Sequence, residues 1–325
     1  MQPLITIGIA LYNAEDLAAM VINSATSQTY KNLEIIVIDD YSEDSTSELC
    51  KFLAKADSRI KLIINTKNEG ILNTYNRILS LAKGEFFILF DQDDWRDLNY
   101  IDRAFNAMSV NSKRVLVHSP TTVRFTGKVM HINKFSRLSE RHTLLGRIST
   151  VARRPDDFLA YGLIRTKSIR QVGGFQLSLS AFHGLIMSLA IQGDIFQLQD
   201  TNFFYSAKGL NNRLTPEIEM QRHNTRGNRK SRLQFTFSLA LAYKHAVFTS
   251  ELKRPLKASI FLIVIWHFML RLMGKIVYVT SRKLFGGSDG ELYRFIVKGA
   301  FPVDEIEFVT FDDSLGYYKQ GWPIT

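Results

Sequence analysis

Four apolar runs punctuate the first hundred residues: 4–10, 33–38, 60–64 and 86–90. They lack the strict polar alternation of a half-exposed strand, so they predict strands buried on both faces of a parallel sheet. Between them the period lengthens to that of a helix. Residues 14–28 bring Leu17, Met20, Val21 and Ala25 onto one face, and 42–56 and 71–82 read likewise, the former with Asp44 or Ser45 as N-cap. The order strand-helix-strand-helix-strand-helix-strand predicts an α/β fold with a mostly parallel, Rossmann-like sheet flanked by helices. In such sheets ligands gather at the carboxyl ends of the strands.

Beyond residue 110 the pattern loosens. Residues 115–119, 122–132 and 195–205 predict strands, and 137–156 is basic without a clear period. Val172-Gly173-Gly174-Phe175 predicts a sharp turn before a helix over 181–192. From about 215 the reading is helical and basic. Residues 256–285 set His267, Arg271, Lys275 and Arg282 at spacings of 4, 4 and 7, a narrow polar stripe on an apolar helix. The expected division is an α/β domain over 1–210, with halves 1–110 and 111–210, and a helical extension over 211–325.

Charge sharpens that division. Residues 1–110 carry 10 basic and 16 acidic side chains, 111–300 carry 30 and 10, and 301–325 carry 1 and 5. Cys50 is the single cysteine, which excludes an internal disulfide and a cysteine-built zinc site. The chain opens on Met1-Gln2-Pro3 with no basic leader, and the longest near-unbroken apolar stretch, 258–270, has 13 residues where a span takes about 20. The expectation is a cytoplasmic protein. No nucleic-acid motif accompanies the basic residues, which flank apolar helices, so the C-terminal region predicts peripheral contact with an anionic membrane face. A helical subdomain packed on the sheet or on a second subunit, as in a homo-oligomer, is the plainer alternative, and RNA binding a third.

Asp91-Gln92-Asp93-Asp94 follows the fourth buried strand directly. Three carboxylates in four residues repel unless a cation or hydrogen-bond donors offset them. Hard oxygen ligands suit Mg²⁺ or Mn²⁺. A solvated turn capping the next helix through Asp94 or Asp97 is the plainer alternative. Asp39-Asp40 ends the second strand and offers acceptors for imide N–H or ribose hydroxyl groups, or simply a turn with Ser42 starting the next helix. There is no G-x-G-x-x-G after the first strand and no G-x-x-x-x-G-K-[ST], which disfavours a dinucleotide dehydrogenase and a P-loop enzyme.

These residues also resemble a known family. Residues 6–13 (Thr-Ile-Gly-Ile-Ala-Leu-Tyr-Asn), 24–30 and 34–45, Asn68-Glu69-Gly70, Asn76, residues 82–85 and the apolar strand into Asp91-Gln92-Asp93-Asp94 look like the N-terminal half of a family-2 glycosyltransferase. The resemblance implies a GT-A fold and an inverting transfer from a nucleotide-sugar donor to a saccharide or lipid-linked acceptor in bacterial surface-polysaccharide assembly, such as O-antigen or capsule. It implies that Asp39, Asp40 and the segment from Ala10 to Tyr12 hold base and ribose, that Asn68, Gly70 and Asn76 belong to the donor site, and that Asp91 and Asp93 stand at the DXD positions of a divalent cation.

Two departures follow. The family's acidic pair after the Gly-Gly-Phe turn is replaced by Ala181-Phe182, leaving His183 as the nearest proton acceptor. A histidine usual downstream gives way to Lys208, a charge suited to a phosphate. They raise a second reading, a catalytically silent donor-binding paralogue acting in an assembly complex. A sugar nucleotidyltransferase is disfavoured because its Gly-rich N-terminal loop is absent.

Overall fold

The four apolar runs become neighbours in one sheet. The computed structural model describes residues 2–125, 128–132, 143–153, 157–206, 229–285 and 307–309. In it β1 (Ile5–Leu11), β2 (Leu33–Asp39), β3 (Ile60–Ile64) and β4 (Phe86–Phe90) run parallel in the order β4-β1-β2-β3. Every residue of β1 and β4 is buried, whereas the edge strand β3 stays partly exposed. Helices α1 (Ala18–Thr26), α2 (Thr46–Ala56) and α3 (Ile71–Leu81) make the crossovers. At α2, Asp44 rather than Ser45 holds the first turn, its Oδ1 accepting from the Thr46 amide at 3.0 Å. Close approach fixes one glycine: a Cβ on Gly8 of β1 would lie 2.5 Å from Ile78 Cγ2 of α3.

Later segments extend this sheet and build a second. After β5 (Asp94–Arg96) and α4 (Tyr100–Val110), β6 (Arg114–His118) returns to the first sheet. The expected single strand over 122–132 is a hairpin, β7 (Thr121–Phe125) with β8 (Lys128–Ile132). The non-periodic basic segment contains α5 (Leu144–Arg153). A 3₁₀ turn (Asp157–Tyr161), β9 (Leu163–Arg165) and α6 (Thr166–Gln171) then lead to the Gly-Gly-Phe turn and α7 (Ala181–Gln192).

The expected strand over 195–205 is also two, β10 (Asp194–Gln197) and β11 (Phe203–Ser206), which belong to different sheets. The larger sheet reads β10-β6-β9-β4-β1-β2-β3, with β9 antiparallel to both neighbours. The smaller reads β12-β8-β7-β11-β5, where β12 is Glu307–Val309. Helices α8 (Arg229–Thr249) and α9 (Arg254–Phe285) pack back on α7 and α5. His267, the first member of the expected polar stripe, turns inward, its Nε2 2.7 Å from Ser149 Oγ of α5. The side chains of Arg271, Lys275 and Arg282 lie outside the described residues.

Candidate functional site

Parallel register decides what meets at the strand ends. Phe90 pairs with Ile9 on one side of β1, and Asp39 pairs with Leu11 on the other. Neighbouring strands lie roughly 5 Å apart, so the acidic turn after β4 and the pair ending β2 stand about 10 Å from each other on one rim. The turns are tied together. Tyr12 N–H donates to Gln92 Oε1 at 3.1 Å, linking the β1 loop to the acidic loop. Asn13 donates its amide to Ser42 Oγ and accepts from the Glu43 amide, both at 2.9 Å, linking it to the β2 loop.

Asn13 and Tyr41 hold φ of 47° and 70°, a left-handed conformation unfavourable for a tyrosine. Strain of that kind tends to collect at functional sites. The half-exposed rings of Tyr12 and Tyr41 stand at these two strand ends, and Ala10, buried in β1, offers only its backbone.

Asp39 and Asp40 are buried and already bonded. Asp39 accepts from the Ser42 amide at 3.2 Å and from the hydroxyls of Ser42 and Ser47. Asp40 accepts from Asn65 Nδ2 at 2.7 Å, the Glu69 amide at 2.9 Å and the Gly70 amide at 2.8 Å. Asp40 thereby shapes the loop after β3, where Gly70 takes φ +83° and Asn68 Oδ1 accepts its amide at 3.0 Å. Asn76 is committed elsewhere: its side chain exchanges two hydrogen bonds with the Phe175 backbone, at 2.7 and 2.8 Å. That clasp binds α3 to the Gly-Gly-Phe turn and leaves Asn76 a structural job. Lys208 lies outside the described residues.

The acidic turn relieves its charge internally as well. Neither Asp94 nor Asp97 caps α4 through its side chain. Asp97 Oδ2 accepts from the Asn202 amide at 2.8 Å, and Asp94 is fully buried in β5 with Oδ2 accepting from the Asp91 amide at 3.1 Å. Burial drives the Asp94 carboxyl well above the usual range, against the charge of Arg96. Arg96, also buried, donates from Nη2 to the carbonyls of Leu89 at 2.8 Å and Tyr161 at 3.0 Å, with its guanidinium 3.9 Å from the Phe90 ring centroid. Tyr161 in turn donates its hydroxyl to Asp91 Oδ2 at 3.2 Å. Tyr75 is fully buried close by. Burial first, and the charges of Asp91, Asp94 and Asp93 after it, raise its phenol well above the ordinary value. Sequence reasoning missed Arg96, Tyr161 and Tyr75; only Arg96 had a visible signal, sharing a strand face with Asp94 two residues earlier.

Asp91 and Asp93 are the carboxylates of the acidic turn left half-buried on this rim. Among the described residues, no three His, Cys, Asp or Glu side chains surround a common metal position. Mg²⁺ is commonly held by one or two carboxylates plus substrate phosphates. The oxygens of Asp91 and Asp93 fit such an ion as two of its ligands.

On α7, Phe182 reaches this cluster, its ring centroid 5.6 Å from Tyr161 and 6.1 Å from Tyr75. His183, 8% exposed, sits beside it in the first helical turn with its ring 5.5 Å from Phe235 of α8.

Comparison with known proteins agrees with this fold. The profile of glycosyl transferase family 2 matches residues 6–173. WfaP of Escherichia coli, a UDP-Glc:alpha-D-GlcNAc-diphosphoundecaprenol beta-1,3-glucosyltransferase, is 41% identical over 92 residues, covering 28% of this chain and 36% of its own. Matches to three such curated relatives span 34–37% of the relatives' length. Among solved structures, TarS 1–349 of S. aureus in complex with UDP-GlcNAc aligns with a TM-score of 0.58 at 16% identity, over 90% of this chain and 77% of that one. The mannosyltransferase PcManGT of Pyrobaculum calidifontis, in complex with GDP-Man and Mn2+, gives 0.51 at 14% identity, over 94% and 89%. At those identities the likeness is one of fold.

Proposed function

The chain belongs to glycosyl transferase family 2, and we propose that it transfers a sugar, with inversion, from a nucleoside-diphosphate donor to an acceptor hydroxyl during assembly of a bacterial surface polysaccharide. One observation carries this reading: on the shared rim the Tyr12–Gln92 hydrogen bond joins the β1 loop, beside Asp39, to the turn bearing Asp91 and Asp93. A nucleoside laid along the exposed Tyr12 ring, above the buried Asp39, would direct its diphosphate toward Asp93. Names of relatives narrow the donor and acceptor. WfaP and WfgD of Escherichia coli are named for UDP-Glc and a diphosphoundecaprenol-linked sugar. We therefore assign a UDP-sugar and a lipid-diphosphate-linked saccharide.

In this reading Asp93, with Asp91 held by Tyr161, carries Mg²⁺ or Mn²⁺. The ion would offset negative charge growing on the leaving diphosphate as the glycosidic bond breaks. Asn68 and Gly70 border the donor, and Lys208 complements its phosphates. His183 takes the acceptor's proton, a contribution of about 10²–10⁴ in rate. It is a titratable group in the first turn of α7, directly after the residue that touches Tyr161.

Titration calorimetry with UDP and GDP, with and without Mn²⁺, tests the donor site. Transfer from UDP-glucose to a synthetic sugar-diphosphate lipid, with the product anomer read by NMR, tests the reaction. Absence of nucleotide binding would end the proposal, and binding without transfer would favour the silent paralogue. His183→Ala should lower turnover at least a hundredfold with nucleotide binding intact, whereas a rate within a few-fold of the parent moves the role to Asp156, Asp157 or Glu217.

A further inference from the structure

Helices α8 and α9 carry apolar residues on both faces, where a purely structural hairpin needs them only on the inner one. On α8, Leu239, Tyr243, Ala246 and Val247 are buried against the body, yet Phe237, Leu241 and Phe248 recur four and seven residues apart on the outer face. Phe237 is 66% exposed. On α9 the inward positions are Ile260, Val264 and the bonded His267, while Leu262, Ile265, Trp266 and Met269 follow one outward stripe. Leu262 and Trp266 are 66% and 63% exposed. The two helices join through residues 250–253, and Phe248 meets Phe261 with centroids 5.4 Å apart. An open groove of about 600 Å³ between the outer face of α8 and residues 176 and 178 extends the apolar surface.

Such exposed apolar surface marks an interaction site, and charge selects the partner. Between residues 229 and 270 the sequence holds seven Lys and Arg but one acid, Glu251. Lys244, Lys253 and Arg254 are exposed beside the apolar stripes. Lysine is depleted at protein–protein interfaces, whereas aromatic and aliphatic side chains edged by basic ones suit the headgroup boundary of a bilayer. No described helix is long and apolar enough to cross one. We infer that the outer face of the α8–α9 hairpin lies on an anionic lipid surface, with Phe237, Leu262 and Trp266 entering the acyl boundary and Lys253 and Arg254 meeting headgroups. The inference stands apart from the sugar-transfer reading, since it names a surface and no reaction.

Flotation of the full chain with phosphatidylglycerol vesicles, and with phosphatidylcholine vesicles as control, tests it. The chain should float with the anionic vesicles at low salt and be released as salt rises. The pair Phe237→Ser with Trp266→Ser, and separately Lys253→Glu with Arg254→Glu, should each weaken retention at least tenfold. Their melting temperatures and nucleotide-diphosphate binding should match the parent, and that binding, read in the same samples, reports on the donor site independently. A parent chain that stays free of anionic vesicles at low salt overturns the inference. So do variants retained as well as the parent, or sedimentation showing a parent dimer that the same variants split.

Discussion

The Tyr161 hydroxyl donates to Asp91 Oδ2 across 70 residues of sequence. The carbonyl of the same tyrosine accepts from Arg96. One residue of the 3₁₀ turn thus holds both the first carboxylate of the acidic loop and the cation buried beneath it. Tyr161→Phe removes the hydroxyl and keeps the ring against Phe182 and Phe203. A hydrogen bond to a charged group contributes about 1.5–3 kcal/mol. Urea unfolding of Tyr161→Phe should therefore show a loss of up to about that amount, and the Mn²⁺ concentration for half-maximal activity should rise because Asp91 is no longer held in place.

Asp93→Ala should abolish the Mn²⁺-dependent part of nucleotide-diphosphate affinity in calorimetry. Asp94→Asn should act mainly on stability, because that carboxyl is buried and pushed toward its neutral form. Equal metal dependence in the Asp93 variant and the parent would contradict the assignment.

Asn76→Ala deletes both bonds to the Phe175 backbone and leaves a partly buried amide and carbonyl without that partner. The expected cost is about 1–3 kcal/mol, seen as a lower midpoint in urea unfolding. Gly174 shares the clasp. Its φ is +74°, and a Cβ there would lie 2.5 Å from Asn76 Oδ1, so Gly174→Ala should destabilise as well.

His118, at the end of β6, supplies a pH dependence. Burial lowers its pKa to about 4, partly opposed by the Ser119 carbonyl, 3.1 Å from Nδ1. An unfolded histidine titrates near 6.5. Between those values the unfolded chain binds a proton that the folded chain refuses, so stability is complete above about 6.5 and falls as pH drops toward 4. The gap corresponds to about 3 kcal/mol. Melting temperatures between pH 7 and 4.5 should fall more steeply for the parent than for His118→Gln.

How far the sequence could be read depended on how much chain each feature occupies. β1 to β4 announced themselves because a strand covered on both faces needs an unbroken apolar run. β5 and β9 have three residues each, too few for any period. The hairpin β7–β8 reads as one strand in the sequence because apolar residues recur on both sides of residues 126–127. At the site, Asp39, Asp40, Asp91 and Asp93 were legible as acids at strand ends. What each acid bonds was not: Tyr161 and Arg96 reach Asp91 and the strand behind it through contacts that sequence spacing does not encode. Nor does spacing encode the bond of Asn76 to the Phe175 backbone, 99 residues away.

Only Asp91, Gln92 and Asp93 lie between Phe90 of the larger sheet and Asp94 of the smaller one. The acidic turn is therefore one of the short crossings between the two sheets, like residues 119–120 between β6 and β7. Arg96 of β5, by donating to the Leu89 carbonyl of β4, rivets the two sheets together behind that turn, so the spacing of Asp91 and Asp93 is set from beneath as well as along the chain.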